Sequence, residues 1–193
     1  EQLLSLLDRL LERGATQAVA RLLLAMRWHI LFRGPLERYQ DALDHVTGSD
    51  VSLPTRAVVG ATYAEALVLR GDRVRAADLI SSLEPDVSRD QHPQAWLELK
   101  RVAAMVDAPR GAAVLCETLE RLAEISTALG DQFLHARILE RLGLARTQAN
   151  DIDRAWLAFK NAQVAFRNVG GELFLSSCAT GLGYVELRLG RTQ

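Results

Sequence analysis

This sequence has little of what most site chemistries need. Cysteine occurs twice, at Cys116 and Cys178, with no motif spacing. A structural pair stays open, but two free, buried thiols in a reducing compartment are the favoured reading. The four histidines, His29, His45, His92 and His135, form no HxxxH, HExxH or His/Cys cluster. No metal is therefore expected. Proline is scarce, with 5 residues, and aromatics make up 6%. Charge of one sign is missing too: 23 basic residues face 24 acidic ones, for a net charge of −1. That excludes a general electrostatic grip on nucleic acid or anionic lipid. No apolar run approaches a membrane span, and no charged segment followed by an apolar one opens the sequence as a signal peptide would. A cytoplasmic location and no contact with membrane are the expectation.

What is present favours helix. Leu and Ala dominate, and with Arg and Glu they carry the best helix propensities. Hydrophobic residues at 49% and charged residues at 24% are those of a folded, water-soluble domain. Helix-closing marks recur at Gly34-Pro35, Gly71-Asp72, Asp107-Ala108-Pro109, Asn150-Asp151 and Gly190-Arg191. The intervals between them are 37, 36, 43 and 40 residues. Gly and Asn tolerate the left-handed conformation that ends a helix, and Asp accepts hydrogen bonds from the free amides that open the next. A near-constant period of this size means stacked supersecondary units. Weaker breaks halve each unit. The spacing predicts ten helices, over 2–13, 16–32, 36–47, 54–70, 73–83, 93–106, 110–129, 132–149, 152–168 and 172–189, and no sheet.

The segment Leu139–Ala162 gives these units their pattern. Leu139, Leu142-Gly143, Asn150-Asp151, Ala155, Phe159 and Ala162 alternate large and small residues at helical spacing. The pattern resembles the tetratricopeptide repeat, in which a first helix A and a second helix B pack as an antiparallel pair. Leu67, Gly71-Asp72, Ala76 and Ile80 fit the same frame. So do Trp96, Leu99, Ala112 and Cys116, and Ala179, Leu182-Gly183 and Gly190. Arg146 stands where Tyr or Ala is usual, the terminal Pro is missing, and the unit around Leu23 to Val46 fits poorly. The resemblance implies an all-α fold: one domain over 1–193, a right-handed superhelix of about five stacked helix pairs. In this phasing helix 2–13 is a B helix without its A, and helix 172–189 is an A helix without its B. A longer array and self-association through the solenoid ends are expected from that.

The long period, with turns such as Ala128-Leu129-Gly130-Asp131, resembles the helical repeat domains of large bacterial signal-transduction transcription regulators of the maltose-activator type. That resemblance implies a non-catalytic module that binds a protein, a peptide or a small-molecule effector on the concave face of its A helices, with no cofactor. The alternative is a segment of a stand-alone scaffold that assembles protein complexes. No GxxxxGK[ST] segment is present. Cys116 with His135, the GxG at Gly181–Gly183 and Ser176-Ser177-Cys178 all lack the context of a catalytic or dinucleotide site. Glu117, Glu120 and Glu124 read as a solvated helix face. The A-helix offsets put Trp28, Glu65, Arg101, Arg137, Glu140 and Tyr184 on the concave face as ligand- or partner-binding candidates. Arg101, Arg137 and Glu140 are expected to face solvent along one wall.

Overall fold

The computed structural model describes residues 2–32 and 34–190, apart from the Arg110 side chain. Among them lie ten α-helices and no strand: α1 (Gln2–Glu12), α2 (Thr16–Phe32), α3 (Gln40–Thr47), α4 (Leu53–Leu69), α5 (Arg73–Leu83), α6 (Pro93–Val106), α7 (Ala112–Ala128), α8 (Gln132–Gln148), α9 (Ile152–Asn168) and α10 (Glu172–Arg188). The predicted helices are present within about two residues. Two depart from expectation at their starts. The segment 36–47 is divided into a 3₁₀ turn, Leu36–Arg38, and α3. The backbone leaves helical geometry at Tyr39 (φ −110°), whose ring is buried edge-on to His29. The helix predicted from residue 110 begins at Ala112, because Gly111 at φ +131° cannot be helical.

The turns follow the sequence chemistry. Asn150 adopts φ +60° and closes α8, and the Asp151 amide donates back to the Arg146 carbonyl at 2.9 Å. That six-to-one bond satisfies a carbonyl that the helix end leaves free. The next helix opens on aspartate at Asp72, Asp131 and Asp151, and in the first two the side chain caps it. Asp72 Oδ1 accepts from the Arg75 amide at 3.2 Å, and Asp131 Oδ1 from the Leu134 amide at 2.9 Å.

Packing groups the helices into two compact units, Glu1–Val106 and Asp107–Gln193. The sequence reading treats the same span as one continuous domain. In the first unit α4 is central, packed against α2, α3, α5 and α6, and it is buried almost throughout from Ala57 to Val68. Its small residues permit this. A Cβ built at Gly60 would lie 2.2 Å from Leu83 of α5. In the second unit α8 packs between α7 and α9, and α10 packs on α9. Phe159 of α9 is seated against two glycines: a Cβ at Gly143 of α8 would lie 2.8 Å from its ring, and one at Gly181 of α10 would lie 2.5 Å away. Ala155, Phe159, Leu182 and Val185 form the core of that seam.

Candidate functional site

The charged residues that the sequence places on an open wall are buried. In the first unit Arg101 of α6 is 2% exposed and Glu65 of α4 is 1% exposed. Arg101 Nη2 donates to Glu65 Oε2 at 2.7 Å, and Nε and Nη2 both reach Glu98 Oε2, at 3.1 and 3.0 Å. Nη1 lies 3.5 Å from the Met105 sulfur. Burial opposes the positive charge on Arg101, but Glu65 and Glu98 outweigh it and hold the guanidinium protonated, above its ordinary range. A charge in this surrounding must be paired to be tolerated at all. The cluster therefore clamps α4 to α6.

The second unit repeats the theme with different partners. Arg137 and Glu140 of α8 are 1% and 3% exposed, with Arg137 Nη1 at 3.5 Å from Glu140 Oε2. The Ser177 hydroxyl of α10 donates to Glu140 Oε1, so this carboxylate ties α8 to α10. The Arg137 guanidinium sits 4.6 Å above the Phe174 ring. Phe174 in turn stacks on Phe166 at 5.0 Å and meets Phe133 edge-on at 5.5 Å. Cation and aromatic face attract in such a dry setting.

These findings correct the solvent-facing wall. Glu65 and Arg101 sit where α4 meets α6, and Arg137 and Glu140 where α8 meets α10, and burying ions there enforces pairing within the fold. The signal was present in the sequence. Glu65 and Arg101 have opposite charge and are separated by 36 residues, one repeat period. Glu98, Phe174 and the bond from Ser177 to Glu140 were not singled out; only the i,i+3 spacing of Glu98 and Arg101 hinted at any of them. Arginines also close helix ends across elements. Arg70 Nη2 donates to the Gly34 carbonyl at 2.7 Å, and Arg73 Nη1 to the Met105 carbonyl at 2.6 Å.

The other two candidates are more accessible. Trp28 of α2 is half-buried against the first unit's core, with the Arg27 guanidinium 4.0 Å over its ring. Tyr184 of α10 is 48% exposed. Its hydroxyl accepts from Arg188 Nη1 at 3.1 Å, and Arg188 Nη2 reaches Asn150 Oδ1 at 2.7 Å. In the same unit Leu144 of α8 and Leu187 of α10 are exposed. In the first unit Phe32 and Leu69, the last residues of α2 and α4, are exposed. α2, α4, α8 and α10 thus each combine buried groups with an exposed apolar side chain toward their C-terminal ends.

Both cysteines are free. Burial pushes the Cys178 thiol up to about 12, with the Glu140 carboxylate adding to the effect and Arg137 opposing it. Cys116 is half-buried, and burial raises its thiol too, with Arg146 opposing and Glu120 and Asp151 adding. Thiolate is the reactive form. At pH 8 the native protein should therefore leave Cys178 unmodified by iodoacetamide, while unfolding in urea exposes both thiols. Mass spectrometry of the alkylated peptides checks this. Rapid native labelling of Cys178 would contradict its burial.

Among the described residues no group of three or more His, Cys, Asp and Glu side chains is arranged to hold a metal ion, and no helix is long and apolar enough to cross a membrane. No protein-family model matches the chain, and no curated protein matches it.

Proposed function

We propose that this chain is a tetratricopeptide-like superhelix acting as a non-catalytic binding module. It would take a protein, peptide or small effector on the open ends of its A helices. The observation that carries the reading is that four helices expose a large apolar side chain toward their C-terminal ends. These are Phe32 and Leu69 in the first unit and Leu144 and Tyr184 in the second. The buried ion pairs of Arg101 with Glu65 and of Arg137 with Glu140 keep those charges inside the fold. Exposed aromatic and aliphatic groups on a rigid helical frame are what peptide grooves use as anchors. The setting we propose is a larger cytoplasmic bacterial regulator, supported by the long repeats and their Gly-Asp and Asn-Asp turns. A P-loop domain upstream and a helix-turn-helix domain downstream in the parent polypeptide would distinguish it from a stand-alone scaffold.

The test begins with capture of a partner by the intact protein, followed by titration against dilute chain. Tyr184→Ala and Leu144→Ala should each weaken binding by about tenfold, equivalent to about 1.4 kcal/mol. Lys160→Glu on α9 should leave it unchanged. Wild-type affinity in both α8 and α10 variants, with loss in Lys160→Glu, would move the site to the B-helix side.

A further inference from the structure

We infer that the outer face of α2, with the adjoining end of α4, takes an acidic segment of a partner protein that carries apolar anchors among its carboxylates. The inference rests on the binding module proposed above and names the chemistry of its partner in the first unit. α2 carries two stripes. Val19, Leu23, Met26 and Ile30, spaced by three and four residues, are buried in the core. On the opposite side Arg21, Leu24, Trp28 and Phe32 follow the same spacing. Arg21 and Phe32 are exposed, and Leu24 and Trp28 are half-buried. α4 extends this face. Arg70, the residue after Leu69, donates from Nη2 to the Ile30 and Gly34 carbonyls, at 3.3 and 2.7 Å. The ends of α2 and α4 therefore lie side by side, and each finishes on an exposed apolar residue, Phe32 and Leu69.

Charge selects the partner. Residues 14–35 hold Arg21, Arg27 and Arg33 and no acidic residue. Arg21 is exposed and has no hydrogen bond or ion pair among the described residues. The Arg27 guanidinium lies 4.0 Å over the Trp28 ring and sets a second cation beside the apolar groups. The elements packed on α2 supply no counter-charge here. In α1 Asp8 and Glu12 are offset by Arg9 and Arg13. Asp44 of α3 acts on the Tyr63 hydroxyl, which accepts from Arg75 of α5 at 2.8 Å. Tyr63 lies on the other side of α4 from Glu65 and Leu69. Glu65, the only acidic residue of α4, is buried against Arg101. Carboxylates of a partner can thus meet Arg21 and Arg27 while its apolar groups cover Trp28, Phe32 and Leu69. Nucleic acid fits less well. Arg27 already covers one face of the ring on which a base would stack, and the whole chain carries a net charge of −1.

Fluorescence anisotropy of three labelled peptides against the 193-residue chain tests this. All three carry leucine and phenylalanine at helical spacing. The intervening residues are glutamate in the first, glutamine in the second and lysine in the third. The glutamate peptide should bind at least about tenfold more tightly than the glutamine peptide, and the lysine peptide should not bind. Its affinity should fall with added salt, because Arg21 is exposed. Arg21→Glu and Phe32→Ala should each weaken it by about tenfold. Both side chains are exposed, so the circular dichroism spectrum should not change. Arg167→Glu, on the exposed side of α9, should bind as wild type does. Equal binding of the glutamate and glutamine peptides, insensitive to salt and to Arg21→Glu, overturns the acidic partner and leaves an apolar binding module standing. Binding of none of the three overturns both. Loss of binding in Arg167→Glu with none in Arg21→Glu would place the acidic segment on α9 and equally overturns the proposal. So does a poly-uridine RNA that displaces the glutamate peptide more effectively than the unlabelled peptide does.

Discussion

Arg101→Gln should destabilise the first unit by about 3–5 kcal/mol, the range for breaking a buried ion pair by removing one partner. The loss comes less from the missing attraction than from what remains. Glu65, 1% exposed, would lose the guanidinium that now lies 2.7 Å away, and Glu98 would lose the same partner. A carboxylate in that position has no water to replace the bond. For a unit of about a hundred residues each kcal/mol shifts the melting temperature by about 4–8 °C, so a fall of well over 10 °C is expected. Removing both partners isosterically, as Arg101→Met with Glu65→Leu, should recover most of the loss, because an apolar pair of similar volume has no charge to strand. Thermal and urea unfolding of the three variants checks the pattern. A loss below about 1 kcal/mol in Arg101→Gln would mean a solvated side chain, and would return Arg101 to the open wall that the sequence suggested.

That contrast shows what the sequence can carry. Helix ends were legible because they rest on local chemistry: Asn150 at φ +60° and the Asp72 and Asp131 caps are determined by the residues themselves. The break at Tyr39 was not legible, because it follows from a ring packed near Gly34, where a Cβ would lie 2.6 Å from that ring. The candidate site failed in a related way. Repeat offsets give the azimuth of a side chain on its helix but not its depth, and one azimuth of α8 runs from its seam with α10 out to the open surface. Arg137 and Glu140, early in α8, fall in the seam. Leu144, one turn further, falls outside it. The same limit hid Gly181, whose GxG pattern suggested no role until Phe159 was found resting on it.

Phe159 therefore provides the sharpest check on the repeat frame. Phe159→Ala should cost about 3–5 kcal/mol, the range for deleting a buried aromatic ring. The cavity would be bounded by α8 and α10, which the two facing glycines leave no side chain to fill. Gly143→Leu should cost about 1–3 kcal/mol or more, since even its Cβ would lie 2.8 Å from the ring. The two effects should not add. With Phe159 reduced to alanine the new leucine has a space to enter, so the double variant should be more stable than the sum of the single losses implies, by about 1–3 kcal/mol of coupling. Gly183→Ala is the internal reference. It changes the same repeat position where nothing lies within 4 Å, so only helix propensity acts, and a gain of about 0.5–1 kcal/mol is expected. Urea unfolding followed by far-ultraviolet circular dichroism measures all four. Strict additivity of Phe159→Ala and Gly143→Leu, or equal tolerance of substitution at Gly143 and Gly183, would break the equivalence on which the repeat phasing rests.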